Sequence, residues 1–217
     1  MDTDAVLAVV TCLAQRGFSV RPFLAASRAF TTDKQLWEAL LHSAPFRHRY
    51  GGGGRTRLMH AASVGSLQRL RFLLACGADV HAVSGDGLTA VLLAAQGNFP
   101  DVISELASRG AGLEAPAGTL RGTGVPLDGF SPLLAAARLG HEAAARELLS
   151  RGALLDAGLR TNGKTPLALA AERGHGALCR MLIEEFQAGG REAALRAAIQ
   201  HGKADTACEL LALGAAG

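Results

Sequence analysis

Aromatic side chains are scarce in these 217 residues: eight Phe, one Trp and one Tyr make up 5% of the chain. A core with so few rings has to be thin, built where small residues let helices approach closely. Charge is sparse as well, at 19% against 49% apolar. That balance argues against wholesale disorder, which needs low hydrophobicity and high net charge. The net charge of +3 is small and dispersed, so the clustered Lys/Arg that drives nucleic-acid binding is missing and no nucleic-acid partner is expected. Cys12, Cys76, Cys179 and Cys208 form no CxxC pair, which argues against a zinc site or a thioredoxin-like motif. They read as buried, reduced thiols of an intracellular protein. The longest apolar run, Ala5 to Ala14, is half a membrane span and follows Asp2 and Asp4 rather than a basic segment. Neither a spanning helix nor a signal peptide is expected. The expectation is a soluble, cytoplasmic chain, with the nucleus left open and no membrane partner.

What is present is a repeat. Thr56-Arg-Leu58-Met-His-Ala61-Ala62 returns as Thr89-Ala-Val91-Leu-Leu-Ala94-Ala95. A third copy, Ser131-Pro132-Leu133-Leu-Ala-Ala136-Ala137, follows after a wider gap. A fourth, Thr165-Pro166-Leu167-Ala-Leu-Ala170-Ala171, comes at nearly the first interval again. A degenerate fifth has Leu195 and Ala198 in the leucine and first alanine positions. Each copy continues to a turn residue (Gly65, Asn98, Gly140, Gly174, Gly202) and then to a second apolar stretch ending in a leucine pair or its equivalent. Four of the five close on Gly-Ala, at Gly77, Gly110, Gly152 and Gly214. Thr or Ser caps a helix, Pro is tolerated in its first turn, and the alanine pair suits a close helix crossing. The turn residues suit a reversal through positive φ. One such unit cannot bury its own face, so stacked neighbours must share a core.

Taken over residues 51–217, the pattern resembles the ankyrin repeat (Thr-Pro-Leu-His-x-Ala-Ala, Gly-His, Leu-Leu, Gly-Ala). The resemblance implies an all-α solenoid of helix-turn-helix units with short hairpin fingers, such as Asp79-Val80-His81. Its units would run over 56–87, 88–115 with an insertion at 116–128, 129–162, 163–187 and 188–217. The histidine of the family's opening motif is replaced by Met59, Leu92, Leu134, Ala168 and Arg196, so turn hydrogen bonds are expected to be lost. Phe186 stands where the fourth copy needs its terminal glycine. The next connection is also shorter, so a finger is expected to be absent there. The last copy is expected to close the stack, with Glu192, Arg196, Lys203, Asp205 and Glu209 giving it a wetter surface.

Residues 1–50, before the Gly51–Gly54 joint, carry three helical patterns without the repeat: Asp2 to Gln15, Val20 to Phe30 and Asp33 to Leu41. The order Leu13, Phe23-Leu24, Ser27-Arg28, Phe30, Leu36-Trp37 resembles an F-box, the helical module that docks adaptors of cullin–RING ubiquitin ligases. That resemblance implies Leu24 and Trp37 as adaptor-docking residues and makes the chain a substrate-recognition subunit. Two other readings stand beside it, a helical cap on the first repeat and a degenerate repeat unit.

Little in the chain suggests catalysis. Gly158-Leu-Arg-Thr-Asn-Gly163-Lys164-Thr165 satisfies the Walker A pattern, but it lacks a preceding strand and coincides with a repeat opening. His141 and His175 fall at the Gly-His position and read as structural. Glu184-Glu185 and Arg47-His48-Arg49 have no partner at recognisable spacing and read as solvated surface. Nothing assembles a nucleophile, a base and an orienting group. The chain is expected to be non-enzymatic, without cofactor or metal.

The resemblance instead implies protein binding in a concave groove, by a monomer. Contact positions fall just before each Thr/Ser and just before each turn residue: Arg55, Ser63 and Val64; Leu88, Gln96 and Gly97; Phe130, Arg138 and Leu139; Lys164, Glu172 and Arg173; and Gln200 and His201. Leu88, Phe130 and Leu139 are expected as exposed apolar anchors, the alternative for Phe130 being that it folds under the insertion. Arg55, Arg138, Lys164 and Arg173 are expected to line one positive strip that favours an acidic segment of a protein partner. The Gly/Pro-rich insertion has two readings, a recognition loop or an unstructured bulge.

Overall fold

Thr56, Thr89, Ser131 and Thr165 each sit in extended backbone, and each side-chain oxygen accepts the N–H three residues on, from Met59, Leu92, Leu134 and Ala168. These four N-caps start the first helix of four consecutive pairs. The computed structural model describes residues 54–75, 78–114, 131–155 and 163–214, within which there are ten helices and no strand. The chain divides between Arg49 and Tyr50, and every described residue belongs to the second unit.

The pairs are α1 (Arg57–Ser63) with α2 (Leu67–Ala75), α3 (Ala90–Gln96) with α4 (Pro100–Ser108), α5 (Pro132–Leu139) with α6 (Glu142–Ser150), α7 (Pro166–Arg173) with α8 (Gly176–Glu184), and α9 (Arg191–Gln200) with α10 (Ala204–Ala212). First helices pack on first helices in chain order, α1 on α3, then α5, α7 and α9. Second helices do the same from α2 to α10. The first helices are therefore sandwiched, and Ala90 to Ala95 of α3 are all buried. The alanine pairs Ala61-Ala62, Ala94-Ala95, Ala136-Ala137 and Ala170-Ala171 are essentially inaccessible. The second helices bury one stripe only, as in Ala144, Ala145, Leu148 and Leu149 of α6, and leave their charges outside. This is a linear all-α repeat stack with one continuous core.

All five turn residues take positive φ, from 56° at Asn98 to 83° at Gly174. Gly140 has a second reason to be glycine: a methyl there would sit 2.6 Å from His175 Nδ1 of the next pair. From the second pair on, the residue after the turn (Phe99, His141, His175, Lys203) packs back on the preceding pair, so the turns lock neighbouring units together. His141 Nδ1 donates to Ala95 O (3.0 Å), His175 Nε2 donates to Arg138 O (3.2 Å), and Asn98 Oδ1 accepts the N–H of Ala144 in α6 (3.1 Å). These contacts give His141 and His175 the structural role that their position in the repeat suggests.

Several details differ from the sequence reading. In the first copy, Met59 recovers a bond ascribed to the missing histidine, because its sulfur accepts the Thr56 N–H (3.4 Å). Phe186 does not adopt the left-handed conformation of the glycine it replaces. The helix end slips by one residue and Gln187 takes it, at φ 55°, while Phe186 packs half-buried on the core. The finger between α8 and α9 is indeed absent, since only residues 185–190 connect them. The finger at 78–88 is a run of turns, with the Asp79 carboxylate accepting from His81 N and Ser84 O accepting from Gly87 N. Cys179 is buried as expected, but Cys208 is exposed. The inward stripe of α10 is Thr206, Ala207 and Leu210, and position 208 lies off it. Cys12 and Cys76 lie outside the described residues. In the last pair Glu192 and Arg196 are exposed as anticipated, whereas Lys203 turns back on Gly174 and Glu209 on Gly176. Ile199, in the second alanine position, is 63% exposed.

Candidate functional site

The C-terminal ends of the first helices present two residues per pair, just before the turn. The nearer row is Ser63, Gln96, Arg138, Glu172 and Gln200; the second row is Val64, Gly97, Leu139, Arg173 and His201. Because first helices pack side by side, each row steps along the stack one helix at a time. Val64 and Leu139 are 49% and 45% exposed, which is unusual for residues of their size beside a buried alanine pair. Gly97 has φ −91° and needs no glycine for its backbone. A methyl on it would collide with the Phe99 ring, as would one on Gly65. Phe99, half-buried, thus lies across both turns between Val64 and Leu139. It was absent from the expected contact residues, and only its departure from the Gly-His pattern could have drawn attention to it.

Leu88 requires a correction. It is fully buried, not an exposed anchor. Its N–H donates to Ser84 Oγ and its carbonyl accepts from Ser84 N, both at 2.9 Å, and this pins the residue inward at the base of the finger. Arg55 and Arg173 are exposed, Arg138 and Lys164 are half-buried, and Ser63 and Gln96 are partly exposed. Phe130, the insertion at 116–128, and Leu24 and Trp37 lie outside the described residues.

The expected strip of four cations is interrupted. Lys164 Nζ lies 2.6 Å from Glu172 Oε2, and His201 Nε2 lies 3.5 Å from Glu172 Oε1. The hydrogen bond from Lys164 holds the Glu172 carboxyl below the usual carboxylate range, against the opposing effect of partial burial. The same geometry bears on the Walker-like stretch. Lys164 is engaged by a carboxylate, Thr165 spends its hydroxyl on the Ala168 N–H, and Pro166 removes a first-turn donor. That arrangement is a helix cap, and residues 158–162 lie outside the described part.

Charge is divided between the two helix sets. The first helices and their flanking caps and turns carry seven Arg or Lys and two Glu, whereas the second helices with their flanks carry seven Arg or Lys and eight Asp or Glu. On the second helices the charges pair across repeats. Arg71 meets Glu105 (2.8 Å), Arg146 meets Glu185 through two bonds of 2.9 Å, and Arg180 meets Glu209 (3.2 Å), while Arg151 reaches the neutral Ser104 hydroxyl (2.5 Å). Hydrogen bonds from Arg71 and Arg146 hold the Glu105 and Glu185 carboxyls low. Glu185 therefore has a partner in the preceding repeat, where none was expected from spacing. Burial pushes the Cys179 thiol up to about 12, so it is no nucleophile at neutral pH. Among the described residues no group of His, Cys, Asp and Glu could hold a metal ion, and no helix is long and apolar enough to cross a membrane.

A family profile for ankyrin repeats in three copies matches residues 58–157, and a single ankyrin-repeat profile matches 162–188. The chain belongs to the ankyrin-repeat family. The matched region covers the capped pairs α1 to α8; the fifth ankyrin-like pair, which lacks a hydroxyl cap at Gly190, lies beyond it. No curated protein matches the chain. Ankyrin repeats in general mediate protein–protein interaction.

Proposed function

We propose that the chain is a protein-interaction scaffold. It binds a partner along the first-helix face, through Val64, Leu139 and Arg173 above all, and it favours a partner segment bearing acidic side chains. The observation that carries this reading is the uneven use of charge. The second helices hold nearly equal numbers of both signs and pair them from repeat to repeat, while the first-helix face keeps a surplus of cations beside exposed apolar side chains. Exposed apolar anchors ringed by Arg are common in interface hot spots. Opposite charge on the partner raises its association rate and selects its orientation. Arg55, Arg138 and Lys164 contribute to that field, and Ser63, Gln96, Glu172 and His201 supply polar contacts around the anchors. No catalytic step is part of this reading.

The test compares affinity capture by the wild-type chain with capture by Leu139→Ser, Arg173→Glu and Arg146→Ala. The two first-helix variants should lose the partner while keeping the melting temperature within a few degrees, since both residues are largely solvated. Arg146→Ala, on the opposite helix set, should retain it. Loss with Arg146→Ala and retention with the other two would place binding elsewhere.

A further inference from the structure

We infer that the row before the turns reads its partner with a fixed polarity: an extended segment, with apolar side chains over the first three repeats and acidic side chains over the fourth, at Arg173. This rests on the binding face proposed above and specifies what lies on it. Along the row, Val64, the Phe99 ring beside Gly97, and Leu139 make an apolar line, and Arg173 and then His201 continue it. The change of character falls between the third and fourth pairs.

Spacing selects the occupant's conformation. Adjacent helices lie roughly 8–10 Å apart, so Val64 and Leu139, two steps apart, are separated by about 16–20 Å. An extended chain advances about 3.3 Å per residue, so side chains roughly six residues apart cover that distance and point to the same side. A helix needs about 11–13 residues for the same span and presents a wide apolar stripe. The line here is one residue wide, flanked by Ser63, Gln96 and Arg138, which fits a strand's single row of side chains better than a helix's broad face. At the Gly97 step the Phe99 ring fills the space a side chain would take, which keeps the surface between the two anchors apolar. Charge complementarity then puts carboxylates next to the second apolar residue, over Arg173.

The experiment is selection from a random 16-residue peptide library on the full chain, counter-selected on Leu139→Ser and on Arg173→Glu. The inference expects enriched peptides with two apolar residues about six apart, followed or preceded by Asp or Glu on one side only. Each variant should weaken a synthesised winner by about tenfold or more. Apolar spacing near eleven, acids on both sides, or acids between the anchors would overturn the inference while leaving the binding face intact, provided the winners still depend on Leu139 and Arg173. Winners indifferent to both variants, or no enrichment above the counter-selected background, would overturn the inference and the face together.

Discussion

At the residue scale, the positive-φ glycines show two different demands that a sequence merges into one letter. Gly152 needs a positive φ of 91° but has open space where a side chain would be; Gly140 needs φ 75° and also lies under the His175 ring. A non-glycine residue in left-handed backbone costs about 1–2 kcal/mol. Gly152→Ala should lose that much in urea unfolding, and Gly140→Ala should lose about 1 kcal/mol more because it also displaces His175 from Arg138 O. Equal losses would show that the ring adapts freely and is no lock. The same distinction explains why the intolerance of Gly97 to a side chain was not readable: its backbone is ordinary, and only the Phe99 ring, two residues on, closes the site.

At the scale of the helices, capped starts and positive-φ turns are local features, and they could be anticipated from Thr89, Ser131, Gly140 and Gly174 before any coordinates. Pairings across repeats could not. Glu185 and Arg146 sit a whole repeat apart in the chain, and nothing in either neighbourhood marks the other. The slip from Phe186 to Gln187 was equally hidden, since it depends on how Phe186 packs. Three paired carboxylates, two of them bonded across repeats, make a testable contribution to pH dependence. Glu105, Glu172 and Glu185 are each held below the usual carboxylate range by hydrogen bonds from Arg71, Lys164 and Arg146. A depressed native value stabilises the fold above the unfolded value, and that stability is lost as pH falls through the native one. Thermal melts should therefore drop steadily from about pH 5 downward, through and below the ordinary Glu range. Glu185→Gln should flatten that slope and lower the melting temperature at neutral pH. Parallel curves for the two chains would mean that the second-helix ion pairs do not couple to folding.

At the scale of the whole molecule, the repeat architecture was legible because its period, its caps and its alanine pairs recur with the same physical purpose in copy after copy. The proposed binding face was legible only in outline. Val64, Leu139 and Arg173 are exposed, but Leu88 turned inward because Ser84 satisfies both of its backbone groups, and Lys164 proved to share Glu172 with His201. Position within a repeat says which residues end a first helix; it does not say which of them the neighbouring repeat will cover or neutralise. The account stands or falls on that face being where a partner lies. Hydrogen–deuterium exchange of the full chain, with and without the captured partner, is the most direct measurement. It should show slowed exchange at the ends of α1, α3, α5 and α7 and in the turns that follow them, with α2, α4, α6 and α8 unchanged along their outer stripes. Protection confined to the second helices would contradict it.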